Sequence, residues 1–202
     1  MNVSAYGERF LKYAYPSLHT YVVPNSVDLT LFKYEPEKKK QIAFMPRKLR
    51  EDLLQVLTLL SARGALAGWQ LCPIEGVYPP RAAELMRESA VFLSTLMQEG
   101  FGLPPLEAGL CGCVVVGYTG FAAAEFMDPQ YCFPVPERDV LTFARTLEEV
   151  LRSLDADPTC YRARGEVFAA ALRERYSPDE QKRALLAAWD DILGRHARAQ
   201  GA

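Results

Sequence analysis

Charge of one sign is in short supply in this chain. Its 202 residues carry 23 Lys and Arg against 25 Asp and Glu, a formal net charge of −2. A nucleic acid or an anionic membrane is held by a basic face, so neither partner is expected. Lys38-Lys39-Lys40 follows Glu35 and Glu37 and reads as a solvated turn. Long hydrophobic runs are also missing: the longest uncharged stretch, Ala108 to Ala124, holds four glycines and is too short to span a bilayer. Met1-Asn2-Val3-Ser4 has neither the basic segment nor the apolar core of a secretory leader. The five cysteines are odd in number and lack framework spacing, which suits a reducing compartment and a cytoplasmic location. Cys111 and Cys113 flank Gly112 with no second His or Cys pair nearby, so they are expected as small packing residues, and no metal site is expected. No internal repeat and no low-complexity segment is visible.

What is present is an ordinary globular composition, 50% hydrophobic and 24% charged, at a length that suits one well-buried domain. Apolar periodicity divides it into alternating strands and helices. A short helix is expected from Ser4 to Tyr13, ended by Pro16, then a strand from His19 to Val23 and a turn at Pro24-Asn25-Ser26-Val27-Asp28. Further strands are expected at Gln41–Met45, Trp69–Cys72, Ala90–Thr95, Val114–Gly117 and Tyr131–Val135. Between them fall a helix from Asp52 to Leu60, Leu-rich enough to be buried on more than one side, and another from Arg81 to Glu88. A stripe from Val140 to Leu154 predicts a further helix, Asp157 is expected to N-cap the next one, and Ser177-Pro178-Asp179-Glu180 is a capping box opening the last. The alternation predicts an α/β domain of Rossmann-like, three-layer α/β/α build around a parallel sheet. Ligands of such sheets sit at the carboxyl ends of the strands, where the loops after Met45, Cys72, Thr95 and Gly117 converge.

One of those loops stands out: Glu99-Gly100-Phe101-Gly102-Leu103-Pro104-Pro105-Leu106-Glu107. A strand runs into it, and a helix begins at its prolines. Gly100 and Gly102 permit positive φ and close approach of a ligand. The unpaired N–H groups of Gly102 and Leu103 at the helix start attract phosphate. Two carboxylates, Glu99 and Glu107, flank that anion site, free to hold neutral hydroxyls.

These residues resemble the signature of retaining, nucleotide-sugar-dependent glycosyltransferases of the GT-B fold, the group 1 or family 4 enzymes. The resemblance extends from about Val3 to Leu193. It implies that Glu99 contacts the donor sugar as the catalytic carboxylate, that Glu107 accepts hydrogen bonds from ribose hydroxyls, and that Gly100, Phe101, Gly102 and Leu103 border the donor. It implies an Arg gripping the diphosphate at Arg47. The Lys usual one turn later is replaced by Asp52, which leaves Lys48 or Arg50 as the second cation. Thr119 and Gly120 correspond to the loop facing the donor, although Phe121 stands for the usual second Gly, Ala124 for the usual Pro before Glu125, and Ser26 for a Gly. No cofactor is implied beyond the nucleotide-diphosphate sugar itself.

The resemblance opens at Asn2-Val3-Ser4, similar to the end of the family's N-terminal domain. Residues 1–16 are therefore expected to be a linker helix from an acceptor domain missing here or supplied separately. Residues 17–177 are expected to form the nucleotide-sugar-binding domain, and residues 178–202 a C-terminal helix whose Leu185–Trp189–Leu193 face is expected to favour self-association. Such a chain alone is expected to be inactive or weakly active. Three functions stay open: donor domain of a glycosyltransferase, non-catalytic nucleotide-sugar module, or an unrelated doubly wound domain of epimerase-like or flavodoxin-like type.

Overall fold

The computed structural model describes residues 1–200. Five parallel strands form its sheet: β1 (Lys39–Phe44), β2 (Gln70–Pro73), β3 (Ser89–Thr95), β4 (Val114–Tyr118) and β5 (Phe133–Pro134). Their spatial order is β2-β1-β3-β4-β5. Seven helices accompany them among the described residues: α1 (Ala5–Ala14), α2 (Arg50–Ala62), α3 (Pro79–Glu88), α4 (Leu103–Leu110), α5 (Val140–Ala156), α6 (Arg162–Arg175) and α7 (Pro178–Gln200). None of the described helices is long and apolar enough to cross a membrane.

The central strands are apolar throughout because both their faces are covered. Every residue of β3 and β4 is buried. Successive side chains point to opposite layers, as the two-residue repeat of a strand requires. Phe92 and Val115 pack with Met86 of α3, Leu106 of α4 and Leu172 of α6. Val91, Leu93, Val114, Val116 and Tyr118 pack with Leu53, Val56 and Leu60 of α2 and with Phe143, Leu147 and Leu151 of α5. Two hydrophobic clusters, one on each side of a parallel sheet, make the expected three-layer α/β/α fold.

Four local expectations are corrected. His19–Val23 forms no strand: Val22 makes an isolated parallel bridge to Asn2, which gives a β-branched segment only one partner. Helix α2 is buried on one side only, since Leu54 and Leu59 are exposed. Asp157 closes α5 as its C-cap, and its carboxylate accepts the Thr159 N–H at 2.8 Å in a turn, with α6 starting at Arg162. At the start of α7 the Ser177 hydroxyl accepts the Glu180 N–H at 3.1 Å, but the Glu180 carboxylate turns to Arg183, so the box is half made.

Between β1 and β3 the connections turn to opposite sides of the sheet. At such a reversal the loops leaving two neighbouring strands diverge and open a crevice at their carboxyl ends.

Candidate functional site

A cleft of about 320 Å³ occupies that crevice. Its lining comes from the end of β1 (Met45, Arg47, Lys48), the end of β3 (Ser94, Thr95, Leu96) and the loop from Glu99 to Pro105. Most of the residues expected at the site are thus together. Arg50 is exposed on the first turn of α2 and is not in the lining. Lys48 is therefore the second basic residue at the cleft beside Arg47.

The loop after β3 is held from several directions. Gly102 N-caps α4 with φ +95°, and a Cβ there would meet Leu96 at 2.8 Å and Ala123 at 3.0 Å, so only glycine fits. The other left-handed residue of this loop is Gln98, not Gly100. Phe101 sends its ring inward, 5.5 Å from Tyr176 and 6.0 Å from Phe126, and anchors the loop to the core. Glu99 donates its backbone N–H to the Gly120 carbonyl at 2.9 Å, while its carboxylate pairs with Lys48.

Helix α4 offers fewer amides than a usual helix start. Pro104 and Pro105 occupy its second and third positions and carry no N–H. The donors left at this end are the backbone amides of Gly102 and Leu103, so an anion would be held by these two and the nearby cations. Glu107, one turn along, is partly buried and is not in the cleft lining, and burial pushes its carboxyl up to about 7. It has no side-chain hydrogen bond or ion pair among the described residues. A partly buried carboxylate without a protein partner favours a ligand that brings hydroxyl donors.

The loop after β4 is built differently from the expectation. The Thr119 N–H, the Thr119 hydroxyl and the Gly120 N–H all donate to one Glu137 carboxylate oxygen, at 3.0, 2.9 and 2.9 Å. Thr119 and Gly120 are absent from the cleft lining, and their amides are engaged inside the chain. Phe121, standing for a glycine, adopts φ +66°, a strained conformation for a bulky residue. Its ring stacks on Tyr6 of α1 at 5.6 Å and 14°, which offsets that strain. Glu125, on a 3₁₀ turn (Ala122–Glu125), accepts the Tyr6 N–H at 3.0 Å and so docks the start of α1.

Asp52 lies buried in the first turn of α2. Its carboxylate accepts the Tyr118 hydroxyl at 3.0 Å and pairs with Arg138 at 3.1 Å. Arg138, at φ +67°, follows Glu137 in the β5–α5 connection. Sequence reasoning missed both Glu137 and Arg138, because each acts on a loop or helix distant in the chain. The other residues set aside earlier behave as packing: Cys111 and Cys113 are buried, with the Cys113 thiol donating to the Met86 carbonyl at 3.0 Å. Ser26 donates its hydroxyl to Gln181 of α7 at 2.8 Å.

Fold and cleft define a Rossmann-like domain with a crevice at the switch point of its parallel sheet, a fold also seen in GT-B glycosyltransferases. Residues 60–153 match the family described as Glycosyl transferases group 1. An alpha-1,6-glucosyltransferase of Actinobacillus pleuropneumoniae serotype 7 (strain AP76) is 31% identical over 96 residues, covering 44% of this chain and 28% of that protein. HepE of Anabaena, solved in complex with UDP and glucose, superposes with a TM-score of 0.72 at 14% identity, covering 94% of this chain and 62% of that one. Sucrose-phosphate synthase of Thermosynechococcus elongatus gives 0.71 at 15% identity, covering 96% and 58%. The chain is thus similar to glycosyltransferases of group 1 over residues 60–153 and shares the fold of GT-B enzymes. It spans 28% of the curated relative and about three-fifths of the two solved structures.

Proposed function

We propose that this chain is the donor-binding domain of a retaining glycosyltransferase, taking a sugar from a nucleotide-diphosphate sugar without a metal ion. The observation that carries the reading is the convergence of Arg47, Lys48, Glu99 and the Gly102–Leu103 amides on one cleft at the β1/β3 switch point. Cleaving a sugar–diphosphate bond leaves negative charge on the diphosphate and positive charge on the sugar carbon. Arg47, Lys48 and the two amides meet the first, and the Glu99 carboxylate faces the second. Glu107, half-buried and unpartnered, takes the ribose hydroxyls, each charged hydrogen bond being worth about 1.5–3 kcal/mol. The acceptor belongs to a second domain or partner, since closing a cleft between two domains excludes water and aligns the acceptor.

UDP is the first ligand to test, as HepE is solved with it. Calorimetry in the presence of a chelator should show binding, and guanosine and adenosine diphosphates assign the base by comparison. An absolute requirement for magnesium or manganese would contradict the metal-free part of the proposal. A second reading, a nucleotide-sugar-binding module without catalysis, is favoured by the two prolines that strip α4 of amides and by Asp52 in place of a cation. A hydrolysis assay with UDP-sugars separates the two: release of free sugar supports the enzyme, and binding without release supports the module.

A further inference from the structure

We propose that Glu137 is a positioning residue for Glu99, holding it through the β4 loop. The inference rests on the reading of Glu99 as the carboxylate that meets the donor sugar. The connection is continuous in hydrogen bonds. One Glu137 carboxylate oxygen gathers the Thr119 N–H, the Thr119 hydroxyl and the Gly120 N–H within 3.0 Å. The carbonyl of the same Gly120 accepts the Glu99 N–H at 2.9 Å. The Gly120 peptide is therefore gripped on one side by Glu137 and grips Glu99 on the other.

Packing reinforces that path. A Cβ on Gly120 would meet Leu96 Cβ at 2.8 Å and Glu99 Cγ at 3.3 Å, so the two loops lie in direct contact. Glu137 is itself fixed from both ends. Before it, the Val135 N–H donates to the Gly117 carbonyl at 3.0 Å. After it, the Asp139 carboxylate caps α5 by accepting the Thr142 N–H at 2.9 Å, and Arg138 reaches Asp52. A carboxylate on so rigid a turn sets the height of the β4 loop, and that loop sets the backbone from which the Glu99 side chain enters the cleft. Lys48 fixes the other end of Glu99, its carboxylate. With its backbone held, Glu99 enters the cleft from one fixed point, and a shift of that backbone would misdirect it toward a donor.

The test compares Glu137→Ala, which removes the acceptor, with Glu137→Gln, which keeps a carbonyl oxygen whose two lone pairs can still accept the Thr119 and Gly120 N–H groups. The first readout needs no ligand: hydrogen exchange at the Glu99 amide of the full chain. Glu137→Ala should speed it by about tenfold or more, Glu137→Gln should hold it near the parent rate, and the Leu93 amide in β3 should stay unchanged in both. The second readout is calorimetry with UDP and UDP-glucose. Glu137→Ala should leave UDP affinity unchanged and weaken UDP-glucose about five- to tenfold relative to UDP, with Glu137→Gln restoring the ratio. Should Glu137→Ala fail to fold, Thr119→Val removes one of the three donors and should raise Glu99 exchange by a smaller factor. An unchanged Glu99 amide, an equal rise at Leu93, or no recovery in Glu137→Gln would overturn the positioning. A parent chain that binds none of UDP, GDP and ADP would overturn the donor reading and the role claimed for Glu99 with it.

Discussion

The Lys48 ammonium and the Glu99 carboxylate form an ion pair inside the cleft. The cation expected to hold diphosphate and the carboxylate expected to face the sugar therefore neutralise each other before any ligand arrives. Both side chains are largely shielded, with 32% and 22% of their surfaces exposed. On the proposed function, a diphosphate entering the cleft would compete with Glu99 for Lys48, freeing Glu99 toward the sugar as Lys48 moves to phosphate.

That competition separates the two residues in binding. Lys48→Gln should weaken UDP about three- to tenfold, the loss of one charged contact that already had a partner. Glu99→Gln should leave UDP binding unchanged or strengthen it up to about threefold, because Lys48 is set free, while impairing the intact donor. Titration calorimetry on both variants reads this directly. Equal losses in the two would mean that Lys48 never exchanges partners.

Glu107 gives a pH dependence with a definite sign. Its carboxyl is raised from 4.5 to about 7 by burial, so the folded chain holds that proton more tightly than the unfolded chain does. The contribution to stability is complete below about pH 4.5 and is lost as pH rises through about 7. The loss is on the order of 3 kcal/mol. Glu107→Gln should remove it, making the variant more stable than the parent above pH 7 and no different below pH 4.5. Urea unfolding at both ends of that range checks it. The same group predicts that the parent binds UDP more tightly as pH rises through about 7, a component that Glu107→Gln should lack.

Arg138 supports a buried charge rather than merely decorating a loop. Arg138→Ala would leave Asp52 with the Tyr118 hydroxyl as its remaining side-chain partner. The guanidinium is 60% exposed, so the cost is expected at about 1–2 kcal/mol rather than that of a fully buried pair. In an Asp52→Asn background, where no buried charge needs compensation, Arg138→Ala should cost less than about 0.5 kcal/mol. Thermal unfolding of the double-mutant cycle measures the difference.

The signature from Glu99 to Glu107 was legible because its function depends on short-range chemistry: glycine where φ is positive, proline at a helix start, carboxylates on either side. The central strands were legible because burial on both faces leaves an uninterrupted apolar run, as in Val114-Val115-Val116. Elsewhere composition outran placement. Tyr21-Val22-Val23 has the residues of a strand, but the sheet ends at β2 and β5 and leaves it a single bridge to Asn2. Helix α2 has more leucines than one face can bury, and Leu54 and Leu59 spill onto the surface. The Glu137 and Arg138 contacts were invisible because Pro136-Glu137-Arg138-Asp139 reads only as a turn and a cap. Its partners at Thr119, Gly120 and Asp52 are set by the sheet order, which no local pattern encodes.

Gly117 tests how tightly the floor of the cleft is packed. It lies opposite Ser94 in the register of β3 and β4, and Ser94 lines the cleft. Its φ is +131°, and a Cβ added there would fall 2.2 Å from the Ser94 carbonyl oxygen and 2.7 Å from the Phe143 ring. Neither can yield cheaply, because one is backbone in a fully buried strand and the other is a ring in the α5 core. Gly117→Ala should therefore cost about 3 kcal/mol or more, from strand separation added to backbone strain. Gly76 provides the control: its φ is +66°, yet a Cβ there meets nothing within 4 Å. Gly76→Ala should cost about 1–2 kcal/mol, the price of the left-handed backbone alone. Urea unfolding of the two variants gives the comparison. UDP titration of Gly117→Ala at a temperature where it remains folded should show weakened binding, since pushing β4 from β3 displaces Ser94. Equal stability losses in the two glycines would mean that the strands can part without cost and that the cleft floor is not fixed by this contact.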